Sequence, residues 1–300
     1  MFDSDQPDTG HLIERFEVMM KEKDVRFFDV EEFEFIAEYY LETGRYEKAL
    51  HAIDIASSQH PHVATFPLKR AQYLVAMDKI EMAEKELDRA ESLDPSNVDM
   101  FIARGTIASK QGMHSQAIRL FRRVLEYDPA VTDVYAMIAT EYQNLGRYEE
   151  ALKFLKLAID EFPEDELLLY NVAICFDMLN SGDKAVEFFK EYIDKNPYNE
   201  IAWYHLGITF SKMNSFEKAV WALDYALLVD DSFTAAYYEK ARVLERMRHF
   251  EEAAETLQLS FESDEPTGYS YYRIGNCYRQ MNQQEEALRE LIVEYKAKFP

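Results

Sequence analysis

The chain has 300 residues, 48% of them hydrophobic and 30% charged, and its acidic residues outnumber the basic ones to a formal net charge of −23. Such a surface repels phosphate and anionic lipid and gains nothing from counterion release, which argues against nucleic acid or a membrane as partner. Nine Gly and nine Pro are few for a chain of this length, a balance that favours helices joined by short loops.

Residues 1–10 carry little apolar content and are expected to be disordered. The acidic opening Met1-Phe2-Asp3-Ser4-Asp5 lacks the basic and apolar runs of a secretory leader, and no stretch reaches membrane-spanning length, so a cytoplasmic setting is expected. Over residues 11–29 one apolar stripe of Leu12, Ile13, Phe16, Met19 and Met20 predicts a helix that caps the repeats beginning at residue 30. Glu14, Glu17 and Glu22 on its polar side argue against a membrane-surface helix.

From residue 30 the chain repeats with a period of 34. One column holds alanine eight times, at Ala49, Ala83, Ala117, Ala151, Ala185, Ala219, Ala253 and Ala287. Twelve places earlier stands a second column of very small residues, Ala37, Ala71, Gly105, Ala139, Ala173, Gly207, Ala241 and Gly275. Two columns without bulk predict two helices pressed together at those points. Prolines at Pro61, Pro95, Pro129, Pro163 and Pro197, slipping one place at Pro266 and Pro300, close the second helix of every row but the sixth. Gly44, Gly112 and Gly146 stand where the first helix must end and reverse, as a left-handed cap.

Large residues flank the earlier small column at helical offsets: Phe33, Phe101, Tyr135 and Trp203 four places before it, and Tyr40, Tyr142, Phe176 and Phe210 three places after it. Ile53, Leu87, Phe121, Leu155, Phe189, Leu223, Leu257 and Leu291 fill the matching place on the second helix. One hairpin cannot bury both of its faces, so neighbouring rows must stack. The rows are 30–63, 64–97, 98–131, 132–165, 166–199, 200–233, 234–267 and 268–300.

The column order of aromatic, Leu-Gly/Ala pair, Tyr, Ala, aromatic or Leu, Ala and Pro resembles the tetratricopeptide-repeat motif. Row six matches it with Trp203, Leu206-Gly207, Phe210, Ala219, Leu223 and Ala226. The resemblance covers about residues 30 to 300. It implies an all-α fold, a right-handed superhelical α-solenoid of about eight helix-turn-helix repeats with an N-terminal capping helix, and a role in holding protein or peptide. Pro67, Arg70, Arg104, Gly182 and Lys240 depart from the motif and predict local irregularity in their rows. Cys175 and Cys277 lie three repeats apart and read as small apolar packing residues, with no disulfide between them.

At the far end Leu288, Leu291, Ile292 and Tyr295 have no further helix to cover them. Either the protein continues past Pro300, as the interaction region of something longer or of an enzyme, or this end pairs with another chain in a homo-oligomer. Glu294 suggests instead that the last face is partly wet.

No phosphate loop, zinc-ligand helix or nucleophile elbow is present, and no catalytic residue, cofactor or metal is expected. Ser181 with Lys184 and Ser215 with Lys218 have serine–lysine spacing but occupy one turn column of adjacent rows. His60 and His62 lack a third metal ligand nearby.

By the resemblance, the first helix of each repeat lines the inner, concave surface. Row one places Glu31, Glu34, Glu38 and Glu42 there, and the middle rows place Thr106, Ser109, Thr140, Gln143 and Asn144. Rows five to eight repeat a tyrosine, Tyr170, Tyr204, Tyr238 and Tyr272, with Asn171 and His205 beside two of them. Arg242, Arg246, Arg273, Asn276 and Arg279 join them in rows seven and eight, a local reversal of the chain's charge. Tyrosine offers apolar area and a hydroxyl, and arginine forks onto carboxylates, so these residues suit an acidic or carboxylate-ended extended segment. The competing reading is packing plus solvated charge, with Arg242 and Arg246 paired to Glu239 and Glu245 on their own helix. The carboxylate clamp for chaperone tails is not reproduced. The expectation is a non-catalytic, cytoplasmic scaffold or adaptor, with self-association through the C-terminal helices as the alternative.

Overall fold

The computed structural model describes residues 9–22 and 26–298, and every regular element among them is helical. The chain divides into two compact units, Met1–Arg147 and Tyr148–Pro300. The first contains α1 (Thr9–Glu22), α2 (Val30–Glu42), α3 (Tyr46–Gln59), α4 (Thr65–Ala76), α5 (Ile80–Leu93), α6 (Val98–Lys110), α7 (His114–Tyr127) and α8 (Val134–Asn144). The second contains α9 (Tyr148–Glu161), α10 (Glu166–Met178), α11 (Gly182–Lys195), α12 (Glu200–Lys212), α13 (Phe216–Val229), α14 (Thr234–Met247), α15 (Phe250–Leu259), α16 (Gly268–Gln280) and α17 (Gln284–Lys298). Within each unit a helix packs chiefly on the helices before and after it, the arrangement of an α-solenoid.

The predicted alanine column is fully or nearly fully buried in all eight rows. The earlier small column marks where paired helices touch. A methyl group added at Gly105 would fall 2.3 Å from the Phe121 ring, and one at Gly207 would fall 2.6 Å from Leu223 Cγ. Each first helix then ends at a left-handed residue, in one column that includes Gly44, Gly112 and Gly146 but also Asp78, Asn180, Asn214, Arg248 and Asn282. The reversed chain returns an amide to the last helical turn, as in Arg45 N–H to the Tyr40 carbonyl at 2.7 Å and His249 N–H to the Leu244 carbonyl at 2.9 Å. Helix starts are capped where the sequence supplies the side chain. Asp29 with Glu32 and Thr267 with Ser270 form reciprocal capping boxes, and Asn97, Asp165 and Asn199 each accept one orphan amide.

The expected irregularity at Arg70, Arg104 and Lys240 does not occur, because α4, α6 and α14 run through them unbroken. Each cation instead reaches an aspartate on the second helix of the preceding row: Arg70 to Asp54, Arg104 to Asp88 at 2.8 Å, and Lys240 to Asp224 at 2.6 Å. Where the first position is Ile138, Val172, Leu206 or Ile274, the aspartate's place holds Arg122, Lys156, Lys190 or Gln258. Pro67 sits in the first turn of α4, where its missing amide has no intrahelical partner to lose. Row seven is irregular as expected, though at its slipped proline and not at Lys240: α15 stops early and a 3-10 turn, Ser260–Glu262, leads into the loop that contains Pro266.

The capping helix begins earlier and ends sooner than residues 11–29. Thr9 and Gly10 already belong to α1, the rest of the segment expected to be disordered lies outside the described residues, and residues 26–29 are non-helical, ending on Asp29 with an extended backbone. Leu12, Phe16 and Met19 are buried against α2, with Phe16 edge-on to Phe28 at 5.7 Å. Gln59 and His60 tie the extended strap down, His60 Nε2 lying 2.8 Å from the Phe28 carbonyl oxygen and Gln59 Nε2 donating to that of Arg26 at 2.8 Å. That gives His60 a structural role. Cys175 and Cys277 are buried and are not joined in a disulfide. At the other end Leu288 and Ile292 are exposed, and the side chains of Glu294 and Tyr295 lie outside the described ones.

These contacts imply two stability changes. Gly105→Ala should cost about 1–3 kcal/mol by overpacking a buried ring, read as a lower thermal midpoint. Arg248→Gly should add about 1 kcal/mol by relieving a left-handed non-glycine residue, so an unchanged or lowered midpoint contradicts the backbone argument.

Candidate functional site

The first helices of unit two, α10, α12, α14 and α16, carry the predicted tyrosines on one face. Tyr170, Tyr204 and Tyr238 are half-buried and Tyr272 is exposed. Tyr170 meets His205 edge-on at 4.6 Å, and Tyr204 meets Phe233 at 5.1 Å. Burial pushes the Tyr170 and Tyr204 hydroxyls above their ordinary pKa, and nearby glutamates (Glu166 and Glu200 for Tyr170, Glu239 for Tyr204) push the same way. Both therefore remain hydrogen-bond donors at neutral pH.

His205 is only 6% exposed, its ring stacked on Phe189 at 5.6 Å, and Nε2 has no hydrogen-bond partner among the described residues. Burial holds its pKa down at about 4, so the imidazole is neutral. Asn171 donates to the Leu167 carbonyl of its own helix. It therefore offers a guest less than the sequence suggested.

The arginines divide. Arg273 is a clamp, not a guest contact: it is buried, its Nε and Nη2 donate to Glu245 Oε1 at 3.1 and 2.8 Å, and its Nη1 donates to the Tyr238 carbonyl at 3.3 Å. It thus ties α16 to α14. Arg242 pairs with Glu239 at 2.5 Å on its own helix, as the competing reading anticipated. Arg246 does not pair with Glu245. It donates to Asn214 Oδ1 at 2.7 Å and to the Ser211 carbonyl at 3.2 Å, while lying 4.5 Å over Phe216. Arg279 is exposed and makes no ion pair among the described residues, and Asn276 beside it is half-buried.

Sequence reasoning missed an apolar stripe on α10. Leu167, Ile174 and Met178 are 66%, 50% and 59% exposed, with half-buried Ile208 on α12 near the same level of the face. The signal was present, since α10 carries more apolar residues than one packing stripe needs. Asp177 and Lys212 form an ion pair across the two helices. The serine–lysine pairs are turn residues: Ser181 Oγ donates to the Leu179 carbonyl and Lys218 lies over Phe210.

Stacked helical hairpins with a partly apolar face left open on their first helices define a repeat protein of the interaction type. Tetratricopeptide-repeat matches fall at residues 36–98, 68–132 and 108–173, and again at 234–267 and 268–291, more than half of the chain in all. The chain belongs to the tetratricopeptide-repeat family. No curated protein matches it. Among solved structures it is similar to a tetratricopeptide repeat protein from Parabacteroides merdae, at 19% identity and a TM-score of 0.51 over 79% of this chain and 93% of that one. It is also similar to YrrB, described as having an unusual peptide-binding site, at 23% identity and a TM-score of 0.47 over 63% and 97%. The Cut9–Hcn1 assembly gives 18% identity and 0.47 over 90% and 53%. No described helix is long and apolar enough to cross a membrane.

The buried imidazole sets a pH dependence. Its folded pKa of about 4 lies below the ordinary 6.5, so between those values the unfolded chain takes up a proton that the folded chain refuses. Stability therefore falls as pH drops from 6.5 toward 4, by on the order of 3 kcal/mol for this residue, and levels off below. Denaturant melts of the wild type and His205→Phe should diverge through that window and run parallel above pH 7; parallel curves throughout would remove the assignment.

Proposed function

We propose that this protein is a non-catalytic, cytoplasmic scaffold that holds an extended segment of a partner protein along the first-helix face of unit two. The observation that carries the reading is the tyrosine repeated at one position of α10, α12, α14 and α16, continuous with the exposed Leu167, Ile174 and Met178. Tyrosine supplies contact area at low entropic cost, and exposed aliphatic side chains gain when water leaves them. An acidic preference is narrower than the sequence suggested and centres on Arg279, with the exposed Arg242 of α14 as a second cation. The guest on this reading presents apolar side chains toward α10 and a carboxylate toward α16.

Selection of displayed peptides on the folded chain tests this. Binders should be enriched in aliphatic residues followed by Asp, Glu or a free carboxylate. The pair Leu167→Ser and Met178→Ser should weaken them about tenfold, near 1.4 kcal/mol. Arg279→Glu should weaken only the carboxylate-bearing ones, by about threefold. Affinities indifferent to all three changes would place binding elsewhere.

A second reading, self-association through α17, is favoured by exposed Leu288, Ile292 and Val293. Sedimentation at micromolar protein distinguishes it, since Leu288→Glu should then convert dimer to monomer while leaving peptide binding intact.

A further inference from the structure

The other second helices of the repeats, α3, α5, α9, α11, α13, α15 and α17, each carry more acidic than basic residues. Helix α7 reverses this, with Arg119, Arg122 and Arg123 against Glu126. All three arginines are exposed, and their spacing of three and four places puts them on one helical face. Several other arginines of the protein are held by carboxylates, such as Arg15 by Glu32, Arg104 by Asp88 and Glu91, and Arg273 by Glu245. Arg119 and Arg123 make no ion pair among the described residues.

Aromatic rings hold two of the guanidinium groups apart. Arg123 lies 4.4 Å over Phe101, whose ring stacks on Tyr127 at 5.3 Å, and so leans toward α6. Arg122 leans the other way, donating to the Tyr142 hydroxyl of α8 at 3.0 Å, and Arg147 lies 5.0 Å over that same ring. Guanidinium groups that diverge in this way cannot converge on one tetrahedral anion. They do match several carboxylates spaced along a chain, each taken by a planar fork. A large anionic surface is disfavoured by the net charge of −23, whereas a short acidic segment meets the patch locally.

We infer that the outer face of α7, centred on Arg119, Arg122 and Arg123, is a docking surface for an acidic segment of a partner protein. It lies in unit one and is independent of the tyrosine face of unit two.

Fluorescence anisotropy with a labelled oligoglutamate peptide tests the inference, beside a neutral peptide bearing one phosphoserine and vesicles containing anionic lipid. Oligoglutamate should bind and weaken as salt rises, and R119E/R122E/R123E should lose tenfold or more in affinity. The triple lysine variant keeps charge without the fork and should lose about threefold, with unchanged helicity and thermal midpoint confirming that both variants fold. The same losses should appear in a background that already carries Arg242→Glu and Arg279→Glu, which removes binding of the probe at unit two. No oligoglutamate binding, full retention in the triple glutamate variant, loss only in the unit-two variant, or stronger binding of phosphoserine or vesicles would each overturn it.

Discussion

The close approach of paired helices at residues without bulk is the constraint on which the rest of this protein depends. At Gly105 and Gly207 the backbone of one helix comes so near Phe121 and Leu223 that no β-carbon fits without displacing them. Dispersion contacts at that distance give each hairpin its rigidity, and the left-handed residue at its tip sets the angle at which the second helix returns. A hairpin built this way still has an apolar flank, which only the next hairpin covers. Surfaces open to a partner are therefore those the stacking leaves uncovered, and the two proposed above are the first-helix face of unit two and the exposed face of α7.

The architecture is legible in the sequence because packing columns repeat, and repetition separates a signal from local noise. The alanine column, the small column and the five in-register prolines each have one cause, so each reads correctly. Turn residues are only half legible. Glycine announces a left-handed position, whereas Asp78, Arg248 and the three asparagines adopt it under the constraint of the hairpin, which a single residue does not declare. The cations in the motif's leucine place mislead for a similar reason, because their aspartate partners sit in the preceding repeat and look ordinary until the two helices are side by side.

The candidate site is less legible than the fold. Its tyrosines stand out by column, but whether an arginine is available depends on contacts that sequence spacing does not encode. Glu245 neighbours Arg246 in sequence and instead holds Arg273 across two helices. The place of His205 is legible and its character is not, since its burial between rings comes from Tyr170 and Phe189 in the repeat before it. The apolar stripe of α10 escapes notice because apolar residues in a solenoid helix are assumed to be packed.

The pairing of Arg70, Arg104 and Lys240 with aspartates one hairpin earlier, and its replacement elsewhere by an aliphatic residue opposite a basic or neutral one, makes the hairpins non-interchangeable. Tandem genes with near-identical modules are prone to lose or gain copies by recombination, and nascent modules of neighbouring chains are prone to dock out of order. In this protein a shuffle between the two kinds of junction would set Arg70 or Lys240 against Lys156 or Lys190, so a module can follow only a neighbour of the matching kind.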